Sequence, residues 1–125
     1  MDITNALNAM TALSQKTRLE AYRLLVKTGK QGMAAGEIAQ KLGVVQNTMS
    51  AHLATLKQAG LIHSERQSRV IRYFADYQQM RGLLGFLMED CCGGRPQLCD
   101  PLLDEIMPDT KFDEIIPDVK EPEIA

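Results

Sequence analysis

Apolar residues recur at intervals of three and four along most of the first 90 residues, the spacing of an amphipathic α-helix. In the first such segment Leu7, Met10 and Leu13 lie three residues apart. Ser14 is a favourable N-cap for a second helix, which we expect to stop at Gly29. The pattern predicts four helices before residue 61, over residues 4–13, 15–28, 36–42 and 46–59.

The third and fourth helices are joined by the short turn Gly43-Val44-Val45, an arrangement typical of a helix-turn-helix. After Leu61 the pattern changes to β-branched and aromatic residues over 62–67 and 70–75, separated by Ser68-Arg69, which predicts a β-hairpin. Residues 77–90 return to helical spacing. Their apolar face consists of Met80, Leu83, Leu84, Leu87 and Met88. The predicted fold class is mainly α with a β-hairpin wing, a winged helix-turn-helix.

The fourth helix has the pattern of a DNA-reading helix. If Met49 is the centre of its buried stripe, Leu53 and Leu56 fall within about 40° of it, and Asn47 and Ala51 point away. Amides and small side chains suit a helix in the major groove. His52 lies about 60° from the stripe, where it either contacts DNA or packs at the helix edge. The candidate DNA-binding residues of this helix are Gln46, Asn47, Thr48, Ser50, Ala51 and His52.

The predicted wing carries Arg66, Arg69 and Arg72, with Arg69 at its tip. Three arginines beside a recognition helix favour contact with DNA, and Arg66 and Arg69 join the candidate DNA-binding residues. His63 is expected to be a solvated strand residue without a functional role.

Charge divides the chain in the same place as the hydrophobic pattern. Residues 1–88 carry 11 Lys and Arg against 5 Asp and Glu, a net charge of +6, whereas residues 89–125 carry 3 against 11, a net charge of −8. All five prolines follow residue 95. A basic part with an acidic tail indicates a polyanionic partner, here double-stranded DNA. We therefore expect a DNA-binding and dimerisation domain over 1–90 and an inducer site with an acidic tail over 91–125.

The stretch Val45-Gln46-Asn47-Thr48-Met49-Ser50-Ala51-His52-Leu53, continued by Leu56 and Ala59-Gly60-Leu61, resembles the recognition-helix signature of ArsR/SmtB-type repressors. Thr17-Arg18-Leu19 and residues 69–73 fit the same pattern, while Ser68 stands where wings of the family usually have Gly. The resemblance implies a homodimer formed through the first and last helices. It also implies two recognition helices spaced for a palindromic operator.

Three cysteines, Cys91, Cys92 and Cys99, lie within nine residues at the boundary between the two parts. This segment resembles the C-terminal arsenite site in one branch of the family. Thiolates are soft ligands, and three of them suffice for As(III) or Sb(III), whereas tetrahedral zinc requires a fourth ligand. Gly93-Gly94 lets the chain turn back after Cys92. The predicted metal ligands are Cys91, Cys92 and Cys99, and the predicted function is an arsenic(III)-responsive repressor whose apo dimer binds operator DNA.

Two alternative inducers stay open at this point. A thiol-redox repressor would form a disulfide, with Cys92 and Cys99 as the plausible pair, because adjacent cysteines give a strained ring. A repressor selective for methylarsenite would need only two of the three thiolates.

Other classes of protein fit the sequence poorly. It has no Cys-x-x-Cys pair and no phosphate-binding or dinucleotide-binding glycine loop, so we do not expect an enzyme. No apolar run approaches the roughly 18 residues of a membrane helix, and the first residues do not form a secretory signal. We expect a cytoplasmic protein without a membrane partner.

Overall fold

The computed structural model describes residues 1–88 of the 125-residue chain, and the predicted ligands Cys91, Cys92 and Cys99 fall beyond them. The elements in chain order are α1 (Ile3–Leu13), α2 (Lys16–Thr28), a 3₁₀ turn (Gly29–Gln31), β1 (Met33–Ala34), α3 (Ala35–Leu42), α4 (Gln46–Gln58), β2 (Ile62–Gln67), β3 (Val70–Ala75) and α5 (Tyr77–Met88). This is a winged helix-turn-helix, as predicted. The expected division between 1–90 and 91–125 stays a prediction.

The core lies mainly between α2, α3 and α4, and it extends to residues of α1, the hairpin and α5. Its largest fully buried side chains are Leu25, Ile38, Met49, Leu53, Leu56 and Leu61. Met49, Leu53 and Leu56 form one face of α4, so the predicted buried stripe is confirmed. This packing fixes which face of α4 points outward.

Helix α1 is present, but its inner face differs from the apolar stripe of the sequence. Ala6, Ala9 and Ala12 are buried, whereas Leu7 is 54% exposed and Met10 is 38% exposed. Alanine methyl groups let α1 approach the other helices closely. The larger apolar side chains are therefore left on the outer surface.

The boundary between α1 and α2 corrects the prediction that Ser14 is an N-cap. Ser14 is the C-cap of α1, and its hydroxyl donates to the carbonyl of Thr11 over 2.7 Å. Gln15 is the N-cap of α2 instead, because its side-chain oxygen accepts from the backbone N–H of Arg18 at 2.8 Å. The longer side chain of Gln15 therefore provides the N-cap that was expected of Ser14.

The hairpin has the predicted bounds, and its register pairs Ile62 with Ala75 and Gln67 with Val70. The structure adds a third antiparallel strand, β1, which pairs Met33 with Tyr73. The strand order is β1-β3-β2. Two residues are too few for a period-2 pattern, so the sequence does not predict β1.

Helix α5 is bound to the end of α4 and to α2 through a group of contacts that we call the α4–α5 junction. The Asp76 backbone N–H donates to the carbonyl of Leu61 at 2.8 Å, and the Asp76 carboxylate accepts from the backbone N–H of Gln79 at 2.9 Å. The side-chain amide of Gln79 donates to the carbonyl of Ala59 at 3.1 Å. The Tyr77 hydroxyl donates to the carbonyl of Val26 in α2 at 2.8 Å.

Gly60 makes the close approach at this junction possible. Its φ of 81° lies in the left-handed region, and a Cβ there would lie 2.9 Å from the Gln79 side-chain nitrogen. The predicted helix end at Gly60 is thus confirmed.

Tyr22 in α2 lies beside the junction with its hydroxyl buried and without a hydrogen-bond partner. Burial raises the pKa of Tyr22 well above its ordinary value, and Tyr77 and Asp76 add to the shift. Burial also raises the pKa of Tyr77. Both phenols are therefore neutral at physiological pH.

The predicted apolar face of α5 is only partly buried. Leu83 is buried and Met80 is half-buried, whereas Leu87 is 51% exposed. Helix α5 thus leaves apolar surface on the outside, as α1 does with Leu7 and Met10. The predicted extension of this helix to residue 90 goes past the described range.

Candidate nucleic-acid interface

The outer face of α4 presents most of the side chains that the sequence predicts as DNA contacts. Because Met49, Leu53 and Leu56 are turned into the core, the remaining faces of the helix are accessible. The exposed candidates are Gln46, Asn47, Thr48, Ser50 and Ala51. Amides, hydroxyls and a methyl group on one exposed helix can bond base edges and approach them closely. Their contact with DNA stays a prediction.

Gln46 differs from the other candidates because its side chain lies against α3. A Cβ added to Gly36 would lie 3.3 Å from the Gln46 side-chain oxygen. The absence of a side chain at Gly36 leaves room for this amide. The exposed Gln46 side chain therefore lies next to Gly36, near the start of α3.

The first turn of α4 leaves its backbone N–H groups available for an anion. Its N-cap, Val45, forms no side-chain capping bond, and the Val45 side chain is 71% exposed. Uncapped N–H groups at a helix start point along the axis and carry partial positive charge. In a helix that enters a DNA groove, such groups can bind a phosphate.

His52 is half-buried and contacts the helix behind it. Its Nδ1 lies 3.4 Å from an Nη of Arg18 in α2. The Nε of Arg18 also donates to the carbonyl of Ala12, the last buried alanine of α1, at 2.7 Å. A single guanidinium therefore connects α1, α2 and α4.

The wing presents two exposed arginines at its outer end. Arg66 and Arg69 are both exposed, and the Nε of Arg66 donates to the carbonyl of Ser68 at 3.3 Å. Ser68 has a φ of 63°, the left-handed conformation that a glycine would adopt more easily. Ser68 thus adopts the conformation that the tight hairpin turn requires, although it is not a glycine.

Arg72 corrects the expectation that all three wing arginines face DNA. Its Nε and Nη2 donate to the carbonyls of Gln31 and Gly32 at 3.0 and 2.9 Å. Its Nη1 lies 3.5 Å from the Glu37 carboxylate. The backbone of Arg72 pairs with β1 near the base of the wing. Its guanidinium therefore binds the loop before β1 and the start of α3.

His63 is also placed differently from the expectation of a solvated side chain. It is half-buried, and its ring stacks on that of Phe74 across the hairpin, with centroids 5.4 Å apart and an interplanar angle of 18°. Cross-strand aromatic pairs of this kind stabilise a two-stranded ribbon. His63 thus has a structural role in the wing.

Comparison with known proteins agrees with this arrangement. A family model described as a helix-turn-helix domain matches residues 13–65. The chain is 40% identical over 58 residues to the uncharacterized HTH-type transcriptional regulator YceK of Bacillus subtilis, a match spanning 46% of this chain and 57% of YceK. It is 30% identical over 88 residues to the nodulation protein NolR of Rhizobium meliloti, covering 70% of each protein.

Solved structures show the same fold. An ArsR-like transcriptional regulator from Rhodococcus sp. RHA1 superposes with a TM-score of 0.61 at 24% identity, over 85% of this chain and 95% of that one. The homodimeric winged helix-turn-helix domain of a possible ArsR-family regulator from Mycobacterium bovis superposes with a TM-score of 0.58 at 24% identity, over 70% and 82%. The chain belongs to the ArsR family of transcriptional regulators.

As a member of the ArsR family, the chain is a DNA-binding transcriptional regulator, and the family is not one of enzymes. Helix α4 is the second helix of its helix-turn-helix, and β2 and β3 form its wing. In residues 1–88, no helix is long and apolar enough to cross a membrane. Across the same range, no three His, Cys, Asp or Glu side chains are grouped to hold a metal ion.

Two side-chain contacts of this ArsR-family domain were not predicted from the sequence. Arg18 carries the resemblance to the family, but periodicity gives no sign that its guanidinium meets His52. Gln79 is likewise one polar residue among several at the start of α5. Both contacts join residues that are distant in the chain, so only the packing of the helices reveals them.

Proposed function

We propose that this ArsR-family chain is an arsenic(III)-responsive repressor. In this proposal its apo dimer binds operator DNA and dissociates when As(III) or Sb(III) binds Cys91, Cys92 and Cys99. The observation that carries the proposal is the presence of three thiols within nine residues that begin three residues after Met88, the last residue of α5. Three soft thiolates match the coordination that trivalent arsenic prefers.

The DNA-binding part of the proposal rests on the exposed face of α4 and on the wing. A net charge of +6 in residues 1–88 favours a phosphate backbone, and Arg66 and Arg69 extend from the domain beside α4. The uncapped start of α4 adds backbone donors at the end of the helix that enters the groove.

The dimer rests on the apolar surface of the first and last helices. Leu7 and Met10 of α1 and Leu87 of α5 are exposed, although α1 and α5 are in contact with each other within one chain. Apolar side chains that a monomer leaves on neighbouring helices suit a symmetric interface. Two copies joined in this way would place two α4 helices for a palindromic operator.

The α4–α5 junction supports coupling between the two sites. Binding of all three thiolates to one centre restricts the chain that follows α5. The contacts of Asp76 with Leu61 and of Gln79 with Ala59 join α5 to the end of α4. A change in the position of α5 therefore acts on the recognition helix. A useful switch needs a coupling free energy of about 1–3 kcal/mol, and DNA must weaken arsenic binding by the same factor.

The test is a titration of the protein–DNA complex with arsenite, zinc chloride and hydrogen peroxide in parallel. The DNA is a duplex that the wild-type protein selects from a random-sequence pool. We expect arsenite to release the wild-type protein from this DNA. Cys91→Ser, Cys92→Ser and Cys99→Ser should each bind the DNA but respond weakly to arsenite, because a hydroxyl is a poor substitute for a soft thiolate. Full release of the Cys92→Ser protein by arsenite would refute the three-thiolate site.

A thiol-redox repressor is the second candidate, favoured by the seven-residue separation of Cys92 and Cys99 across a Gly-Gly pair. It predicts release by peroxide in the absence of arsenic. In that case Cys91→Ser should behave like the wild type, while Cys92→Ser and Cys99→Ser should not respond to peroxide. A repressor selective for methylarsenite is distinguished by the wild-type protein, which would then respond to methylarsenite and not to arsenite. Replacement of one cysteine in a three-thiolate arsenite site should instead reduce the arsenite response more than any methylarsenite response, because a monomethylated arsenical needs only two thiolates.

A further inference from the structure

Arg18 occupies a position between three helices that the DNA-binding role does not explain. Its side chain is half-buried at the start of α2, donates from Nε to the carbonyl of Ala12, and places an Nη 3.4 Å from Nδ1 of His52. The two Arg18 nitrogens with contacts, Nε and one Nη, are directed at α1 and α4. We therefore expect Arg18 to affect DNA binding through His52, the residue that it contacts on α4.

The chemistry of the two groups determines where the His52 proton lies. A guanidinium carries five N–H donors and no acceptor. A ring nitrogen that faces it must therefore be the unprotonated acceptor, which makes Nδ1 of His52 the acceptor and places the ring proton on Nε2. Arg18 thus selects one of the two neutral tautomers of His52.

The proton on Nε2 is available on the outer side of the ring. Among residues 1–88, the Tyr22 hydroxyl is the buried side-chain polar atom that lacks a hydrogen-bond partner. Nε2 of His52 is therefore not a buried nitrogen without a partner. His52 also lies on the flank of α4, about 60° from the buried stripe. The flanks of a helix in the major groove face the groove walls, which are lined by phosphates, whereas the face with Asn47 and Ala51 points at the bases.

We propose that Arg18 is a positioning residue, which holds His52 in the Nε2–H tautomer so that the ring donates a hydrogen bond to a DNA phosphate. The proposal rests on the DNA-binding role of the family and is independent of arsenic. The Nε2–H tautomer carries no charge, so a hydrogen bond from it adds affinity without displacing a counterion. It differs in this respect from an arginine contact such as that expected of Arg69.

The tautomer is measured in the full-length, reduced protein without DNA, by ¹⁵N NMR of the imidazole nitrogens. The chain has only two histidines, and His63, stacked on Phe74, serves as an internal control. We expect His52 to be protonated on Nε2 in the wild type. In Arg18→Met we expect a mixture of tautomers at His52 and an unchanged signal from His63. Protonation of His52 on Nδ1 in the wild type would overturn the proposal.

The DNA contact is measured with His52→Asn, because the shorter amide keeps an acceptor for Arg18 but does not reach the position of Nε2 with its NH2 group. Binding to the selected duplex should weaken about tenfold, as for the loss of one good hydrogen bond, with no change in the slope of log K against log salt. Arg18→Met should lose a similar factor, and the Arg18→Met/His52→Asn double variant should be little weaker than either single one. Wild-type affinity in His52→Asn would overturn the phosphate contact.

Two further measurements keep the outcomes separate. Circular dichroism of each variant detects a loss of fold, and if Arg18→Met does not fold, the wild-type tautomer and His52→Asn still decide the question. Arg69→Ala should lower both the affinity and the salt slope. If the wild-type protein selects no duplex from the random-sequence pool, the proposed function fails, whereas the NMR result on Arg18 and His52 stands by itself.

Discussion

The side-chain amide of Gln79 donates to the backbone carbonyl of Ala59 over 3.1 Å, and this bond joins the first turn of α5 to the C-cap of α4. The same amide fills the space that a side chain at Gly60 would need. We expect this contact to carry part of the coupling between the cysteine segment and DNA.

Gln79→Ala should therefore weaken the response to arsenite while DNA binding in the absence of arsenic changes little. The lost hydrogen bond lowers the free energy of unfolding by about 1 kcal/mol. Fluorescence anisotropy of a labelled duplex, titrated with arsenite, measures the response. Gln78→Ala is the matched control, because Gln78 is an exposed neighbour on the same turn. An unchanged arsenite midpoint and amplitude in Gln79→Ala would exclude this contact from the coupling.

Arg69 and Arg72 should respond to substitution in opposite ways. Arg69→Ala removes an exposed cation at the wing tip, so operator affinity should fall and the salt slope should decrease by about 1, with stability unchanged. Arg72→Met removes the bonds to Gln31 and Gly32, so the free energy of unfolding should fall by roughly 1–3 kcal/mol. Urea unfolding and a salt series on both variants check this assignment. A stable Arg72→Met protein with a reduced salt slope would contradict it.

Tyr22 and Tyr77 form a second contrasting pair. Tyr22→Phe removes a buried hydroxyl that has no partner, so stability should change little or rise. Tyr77→Phe removes the bond to the carbonyl of Val26, so stability should fall by about 1 kcal/mol. Chemical denaturation at neutral pH distinguishes the two. A larger loss in Tyr22→Phe than in Tyr77→Phe would be the contrary result.

The raised pKa of Tyr22 also predicts a pH dependence. Below about pH 10 its phenol is neutral in both states, so the shift has no effect on stability. As the pH rises above that value the phenol ionises in the unfolded chain and not in the folded one, and stability falls. The loss of stability between neutral and strongly alkaline pH should therefore be smaller in Tyr22→Phe than in the wild type.

The apolar residues on the outside of α1 and α5 predict the effect of charge on assembly. Leu7→Glu and Leu87→Glu should shift the sedimentation coefficient at micromolar concentration from that of a dimer to that of a monomer, because a carboxylate is strongly disfavoured in an apolar interface. Val70→Glu is the control, since Val70 is equally apolar and exposed but lies on the wing. Dimers of unchanged affinity in both helix variants would place the interface elsewhere.

The sequence predicted those features that depend on local pattern. The stripe of Met49, Leu53 and Leu56 follows from helical periodicity, and the hairpin follows from two β-type runs with a short turn between them. The winged helix-turn-helix and the exposed face of α4 were therefore predictable in detail.

The features that were missed depend on contacts that neither residue type nor periodicity reveals. Arg72 and Arg69 look alike in the sequence, but only Arg72 has the carbonyls of Gln31 and Gly32 within reach, because β1 pairs with β3. The ring of His63 stacks on Phe74 because the register of β2 and β3 places the two residues opposite each other. Ser14 was expected to cap α2 from its residue type, yet the longer side chain of Gln15 reaches the N–H of Arg18.

The alanine face of α1 has a consequence for how the domain opens. Ala6, Ala9 and Ala12 give up much less apolar area to water than leucines would if α1 separated from the rest. Helix α1 should therefore detach at a lower free energy than the core helices, and its amide hydrogens should exchange earlier with deuterium. If the outer leucines meet a second copy, dilution should accelerate this exchange in α1 and leave α4 unaffected. The free energy needed to detach α1 would then depend on the protein concentration as well as on the fold of one chain.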